Sequence, residues 1–379
     1  MKKTVILILG AAAALGAAAY ALWNYFGTER PKDVLSEYVS CIEKKDYEVM
    51  YGLLDKGSQK EISKKKFIQR NQKIYQGIGA QNMKVAVDKD SEGDKVSYRM
   101  SMDTIAGRIS FDQKAYFEKE GREYRLKWDD SLIFPDMEFT DKVRVTKLKG
   151  NRGAIYDRNG KMLAGKGKAA SVGLVPGKIK DRKASVSGLA KLLGVKKEDI
   201  DKKLDASWVT KDSFVPVKKM TPVQEAKIEK KLLKISGVLV SSEDSRVYPY
   251  GKKASHLTGY VQEISAEELE KKKDQGYEQG QLVGKSGLEV LYEDRLHETD
   301  GYKISILNED GREKKVLAVK REKNGEDIYT TIDAGLQEKI YDQYKGDKSC
   351  SVMMNPKTGE VLALVSTPAY DRSEEHTSE

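Results

Sequence analysis

Apolar and polar positions along the chain fall into four successive patterns. Behind Lys2 and Lys3 an uncharged apolar run extends from Val5 to Trp23. At a rise of about 1.5 Å per residue it is just long enough to cross a bilayer as a helix. From Pro31, a favoured first helical position, Val34, Leu35, Tyr38, Val39 and Ile42 recur at helical spacing, and "SKKKFIQRNQKIYQGI" predicts a second helix. The period then drops to two in "MKVAV", "KVSYRMSMDT", "GRISFDQKAYFEKEG" and "EYRLKWD", a four-stranded meander cut by "DKDSEGD", "AG" and "EG" turns. Between 146 and about 325, short strands and glycine turns alternate with capped helices. Thr221 with Gln224, and Ser265 with Glu268, have the form of capping boxes. This stretch predicts an elongated, hinge-rich platform without one large core. From Asp327 the pattern predicts a strand, an Asp333-capped helix and a hairpin of two buried strands, "SCSVMMNP" and "EVLALVS", around Lys357-Thr358-Gly359. Past Asp371 no packing pattern continues through "RSEEHTSE".

Composition narrows the class. The 379 residues suffice for two or three domains, and 39% hydrophobic residues can fill their cores. The net charge of +9 comes from 68 Lys+Arg against 59 Asp+Glu, spread as mixed runs such as "KIEKKLLK" and "EELEKKK". No basic stripe with interleaved aromatics is present, so no nucleic-acid partner is expected; the excess suits an anionic membrane or wall polymer. Positive-inside orientation keeps Lys2 and Lys3 in the cytoplasm and puts the bulk of the chain outside, a single-pass cell-membrane protein. A cleaved signal peptide is the rival reading, because small residues near Ala19 would suit a peptidase. Cys41 and Cys350 are too distant in sequence to form a disulfide framework, and His256, His297 and His376 are scattered, so no metal or cofactor is expected.

Three short matches to chemical motifs fail on context. "GQLVGKSGLE" lacks the glycine that a phosphate-binding loop needs five residues before Gly-Lys, where Gln279 stands. Ser63 and Lys66 have Ser-x-x-Lys spacing but lie in a charged helix among other lysines. Lys357-Thr358-Gly359 fills a tight turn rather than a catalytic edge strand.

Longer signals are more specific. The helix-then-meander order of residues 28–145 resembles the cone-shaped NTF2-like domain, which here suits a spacer. "RGAIYDRNGKMLA" (152–164), "RVYPYGKKASHLTGY" (246–260), "GKSGLEVLYEDRLHETDG" (284–301), "TTIDAGLQ" (330–337) and "MMNPKTGEVLALVSTPAYD" (353–371) follow in order. Together they resemble the class B penicillin-binding proteins, in the methicillin-resistance-type low-affinity branch of Gram-positive bacteria. The resemblance implies an α+β multidomain chain. Residues 1–27 would be the cytoplasmic tip and transmembrane anchor, and 28–145 the NTF2-like domain. Residues 146–325 would be the dimerisation or pedestal domain, and 326–371 the start of a transpeptidase α/β domain. It also implies peptidoglycan cross-linking by a serine D,D-transpeptidase acting on stem peptides of a lipid-linked precursor and trapped by β-lactams. A glycosyltransferase or division-complex partner fits the same picture. The nucleophile is expected beyond Asp371, so no catalytic residue is assigned within the chain. Arg372–Glu379 matches a translated sequencing-adapter string, the alternative being a native polar tail. A non-catalytic membrane-anchored wall or division scaffold is the competing function.

Within these motifs Arg152, Asp157, Arg158, Arg246, Glu289 and Arg295 are charges set among apolar or glycine-rich neighbours. Several of them are expected to form buried or half-buried ion pairs that lock strands to the platform.

Overall fold

The computed structural model describes residues 30–88, 93–220 and 222–370. The expected anchor at 5–23, the Thr221 cap and the 372–379 tail lie outside the described residues. Among the described residues no helix is long and apolar enough to cross a membrane.

The chain divides into two compact units. The first runs to Lys149 and takes up Asp300–Glu322 again; the second comprises Gly150–Thr299 and Lys323 onward. In the first, α1 (Pro31–Lys44) begins on its proline and buries Val34, Leu35, Tyr38, Val39 and Ile42 on one face, as the helical period requires. Short helices α2 (Tyr47–Gly52) and α3 (Lys56–Glu61) lead to α4 (Lys64–Gly77). Strands β1 (Gln81–Val87), β2 (Lys95–Thr104), β3 (Gly107–Glu120) and β4 (Glu123–Lys127) form an antiparallel sheet in sequence order. The helices cover it. Phe67 of α4 meets Trp128 edge-on at 5.0 Å between ring centroids, and the Trp128 indole N–H donates to the Tyr38 hydroxyl at 2.9 Å. Strand β5 (Lys142–Leu148) closes this stretch.

The second unit is strung on one long strand. Following β6 (Ile155–Tyr156), β7 (Met162–Leu174) pairs with β6 at its start, and its end carries a lobe with its own apolar core. That lobe contains α5 (Arg182–Leu193), α6 (Lys197–Leu204), β8 (Val215–Met220) and α7 (Pro222–Leu232). Strand β9 (Val238–Val247) then runs back along β7, from Leu174↔Val238 to Gly165↔Val247. Next come α8 (Ser255–Thr258), β10 (Val261–Glu263), α9 (Ala266–Lys272), β11 (Leu282–Gly284), α10 (Gly287–Leu291) and α11 (Glu293–Leu296). The Ser265–Glu268 box caps α9 as expected, each side chain meeting the other's backbone N–H.

Residues 300–322 then rejoin the first unit. Strand β12 (Gly301–Leu307) pairs with β5, and β13 (Glu313–Lys320) pairs with β12. Ile304 and Ile306 are fully buried in the first unit's core. The sequence boundary between 145 and 146 and the division into compact units therefore do not coincide, because a hairpin distant in sequence completes the first unit.

The chain re-enters the second unit through β14 (Ile328–Tyr329), which pairs in parallel with β6. Asp333 caps α12 (Ala334–Tyr344), its carboxylate accepting from the Leu336 N–H at 3.0 Å. Strands β15 (Ser349–Met354) and β16 (Val361–Thr367) form the expected hairpin. Its two strands differ in burial. Ala363 and Val365 of β16 are buried, whereas Val352 and Met354 of β15 are each 54% exposed. The expectation of two buried strands is corrected to one, because α12 covers only β16.

Candidate functional site

The fold brings three of the long motifs to one point inside the second unit. Glu289 lies on α10 and Glu293 begins α11, so a single tight segment presents two carboxylates. Arg152 arrives from the chain ahead of β6 and Arg246 from the end of β9. The Arg152 side chain is 5% exposed, that of Arg246 4%, Glu289 0% and Glu293 7%. Charges this deep persist only when paired and hydrogen-bonded.

All four carboxylate oxygens are engaged. Arg152 donates from Nε and Nη2 to Glu289 Oε2, both at 3.0 Å, and from Nη1 and Nη2 to Glu293 at 3.1 and 2.6 Å. Glu289 Oε1 accepts from Arg246 Nε at 2.7 Å and from the Tyr248 hydroxyl at 3.1 Å. Glu293 also accepts from the Tyr277 hydroxyl at 2.6 Å and the Gly284 N–H at 2.8 Å. Arg246 Nη1 donates to the Gly153 carbonyl at 2.6 Å, tying the second motif to the first. Burial acts to raise the Glu293 pKa, but the hydrogen bond and charge of Arg152, with the Tyr277 and Gly284 donors, hold it below the ordinary range. For Arg152, burial favours the neutral form and is outweighed by the two glutamates, which raise its pKa. Tyr277 is pushed up by burial and by donating to Glu293.

A second anchor joins the first motif to the fourth. Asp157 Oδ1 accepts from the N–H groups of Asn159 and Lys161 at 2.8 and 2.7 Å, which closes the Asn159-Gly160 turn. Its Oδ2 accepts from the Ala334 N–H at 3.1 Å, at the first residue of α12. Burial would raise its pKa, yet these backbone donors hold it low. Close alongside, Arg158 N–H donates to the Ile332 carbonyl at 2.9 Å and Thr330 N–H to the Tyr156 carbonyl at 2.9 Å.

Of the six charged positions singled out in sequence, Arg152, Arg246 and Glu289 form the buried network. Asp157 is buried as well, but backbone amides rather than a cation satisfy it. The other two do not join the network. Arg158 is 39% exposed at 3.6 Å from Glu360, and Arg295 is 54% exposed at 2.6 Å from Glu326, so both are surface pairs. Their backbones still join segments, Arg158 N–H donating to the Ile332 carbonyl and the Arg295 carbonyl accepting from the Glu326 N–H, while both side chains reach water. Sequence reasoning missed Glu293, Tyr248 and Tyr277. Glu293 stands four residues after Glu289, a same-face spacing that was the available signal.

The rejected motifs have structural explanations. A Cβ on Gly284 would lie 2.2 Å from the Glu289 carbonyl oxygen, and Gly287 has φ +57 against the Gly259 backbone. These glycines allow close chain packing, not phosphate approach. Lys285 is held on Glu268 at 2.5 Å, and that hydrogen bond, with the Ser265 N–H, lowers the Glu268 pKa to about 2. Ser63 and Lys66 are exposed at the start of α4. Lys357-Thr358-Gly359 turns the β15–β16 hairpin, with Gly359 at φ 75. The arrangement holds elements together. It presents no nucleophile beside a base.

Comparison with known proteins identifies the domains in which these contacts lie. The family model described as the NTF2-like N-terminal transpeptidase domain matches residues 30–141. The model described as the penicillin-binding protein dimerisation domain matches residues 147–330, the stretch that holds the whole Arg–Glu network. The chain belongs to the class B penicillin-binding proteins. It is 40% identical to penicillin-binding protein 3 of Bacillus subtilis over 98% of this chain and 56% of that protein. Against the peptidoglycan D,D-transpeptidase MrdA of Escherichia coli K12 it is 32% identical over 61% of this chain and 37% of that protein. The chain thus spans about half or less of these relatives' length. The complex between PBP2 and MreC from Helicobacter pylori is similar at 25% identity and a TM-score of 0.41, covering 62% of this chain and 44% of that one, an agreement too loose to compare sites. Among the penicillin-binding proteins, then, this chain is mixed α+β with an NTF2-like and a dimerisation domain.

Proposed function

We propose that the chain is the non-catalytic part of a membrane-anchored, penicillin-binding D,D-transpeptidase that cross-links peptidoglycan stem peptides. The observation that carries this reading is the Asp157 anchor, which fixes α12 and β14 on the same unit as the Arg152–Glu289–Glu293–Arg246 lock. A platform of this kind sets where a following catalytic domain starts, so buried ion pairs serve as rigid mounting rather than as chemistry. In this reading residues 326–371 open the transpeptidase domain, 5–23 anchor the chain, and the nucleophilic serine belongs to the sequence after Asp371. That serine would attack the D-Ala–D-Ala carbonyl, with backbone N–H groups stabilising the oxyanion and a second stem's amine resolving the acyl-enzyme. β-Lactams would acylate the same serine.

The test is covalent labelling with a fluorescent penicillin. The 379-residue chain is expected to stay unlabelled, while residues 1–371 extended by the part of the B. subtilis relative beyond the matched region should be labelled stoichiometrically. Labelling of the 379-residue chain would overturn the assignment, and loss of that label in Ser63→Ala would then locate the nucleophile.

A further inference from the structure

The charge excess, expected to be spread along the chain, is in fact concentrated in one stretch. Residues 176–240, the lobe around α5, α6, β8 and α7, hold 16 Lys+Arg against 8 Asp+Glu, a net +8 out of the whole chain's +9. The remaining residues are nearly neutral. Fifteen of the 16 cations are lysines, strongly hydrated point charges suited to diffuse attraction rather than to fixed two-pronged recognition.

The fold gathers them at both ends of α5. At its N-terminal end, three segments are tied together: Lys180 N–H donates to Ser236 Oγ at 2.8 Å, Ser236 Oγ to the Lys178 carbonyl at 3.0 Å, and Gly177 N–H to the Lys211 carbonyl at 2.6 Å. Lys178, Lys180, Lys183, Lys211 and Lys234 are exposed there. Of the nearby acids, Asp201 and Asp205 are engaged on Arg182 and Asp181 on the Ala184 N–H, which leaves exposed Asp212 against five lysines. At the other end, Lys218 Nζ donates to the Leu193 carbonyl at 3.0 Å, which sets β8 beside the end of α5. Lys191, Lys196 and Lys197 are exposed around that point and, with Lys218, outnumber Glu198 and Asp199.

We propose that this lobe is a docking surface for a flexible linear polyanion, a phosphate-rich polymer laid along it from one end of α5 to the other. The 12 residues of α5 separate the two clusters by about 18 Å. That exceeds the screening length of about 8 Å at physiological salt, so the clusters act as separate attachment points. A short anion can engage only one cluster; a flexible chain can reach both. Binding should therefore depend on polymer length, because the second contact becomes intramolecular once the first has formed.

The full chain, held in phosphatidylcholine nanodiscs, is titrated with long-chain polyphosphate, with tripolyphosphate and with phosphatidylglycerol vesicles. Long polyphosphate should bind at least about tenfold more tightly than tripolyphosphate. Raising salt from about 50 to 200 mM should weaken it about tenfold or more, as several cations are neutralised together. Two triple variants, K178E/K180E/K234E and K191E/K196E/K197E, should each cause a similar loss with the thermal unfolding midpoint unchanged, since all six side chains are exposed. Three results would each overturn the proposal: equal affinity for tripolyphosphate, which means one local anion site; vesicle capture lost with either triple variant, which means a membrane face; or binding indifferent to both variants.

Discussion

At the residue scale, burial separates charges that look alike in sequence. Arg152 and Arg158 stand six positions apart in one motif. Arg152 is enclosed by two glutamates, whereas Arg158 is half in water beside Glu360. Removing one partner of a buried pair leaves an uncompensated charge and costs about 3–5 kcal/mol, while an exposed pair is worth about 0–1 kcal/mol. Arg152→Ala is therefore expected to lower the thermal unfolding midpoint of the second unit by many degrees, and Arg158→Ala to leave it almost unmoved. Calorimetry on both variants decides the matter; equal losses would show that the Glu289–Glu293 pocket refills with water at little cost. What was legible in the sequence here was the presence of charge in apolar surroundings. Which charges turn inward was not, because that depends on segments such as 277–293 reaching the first motif across more than a hundred positions. Tyr277 illustrates the limit: nothing near it in sequence marks it as a donor to Glu293.

At the element scale, local pattern was a good guide wherever an element is amphipathic by itself. Helix α1, the meander β1–β4 and the capped α9 and α12 follow from period and capping residues alone. The β15–β16 hairpin shows where that stops. Val352, Met353 and Met354 read as a buried run, yet α12 lies on β16, where Gln337 donates to the Leu364 carbonyl at 2.7 Å and accepts its N–H at 2.8 Å. Glycines divide in the same way. Gly160, at φ +76 with no atom within 4 Å of an added Cβ, was legible as a turn glycine. Gly153 was not: its Cβ would stand 2.0 Å from the Glu326 carbonyl oxygen, a neighbour far along the chain. An alanine at a left-handed position costs about 1–3 kcal/mol of backbone strain. At Gly153 the clash is with backbone, so the strands β6 and β14 must separate. Gly153→Ala is expected to reduce stability more than Gly160→Ala and to expose the 325–330 segment to limited proteolysis, which Gly160→Ala should not do. Identical proteolysis patterns would mean that β14 shifts freely.

At the scale of the whole molecule, compactness follows space and not the order of the chain. The first unit lacks part of its core until Ile304 and Ile306 return, both fully buried, on a strand paired residue by residue with β5. Losing two such side chains costs about 2–5 kcal/mol each if replaced by alanine, and a missing strand also leaves β5 as an open edge. Residues 30–148 alone are thus expected to be unfolded or aggregated. The register suggests the remedy. Leu148 lies opposite Gly301 in the antiparallel pair, so a two-residue Asn-Gly turn can join them and make β5 and β12 a hairpin. A chain of residues 30–148, Asn-Gly and 301–322 should give a dispersed NMR spectrum and cooperative unfolding. The same cut closes cleanly on the other side, where Thr299 and Lys323 exchange two backbone hydrogen bonds at 2.8 Å. If residues 30–148 fold as stably without 301–322 as with them, the hairpin decorates the first unit rather than completing it.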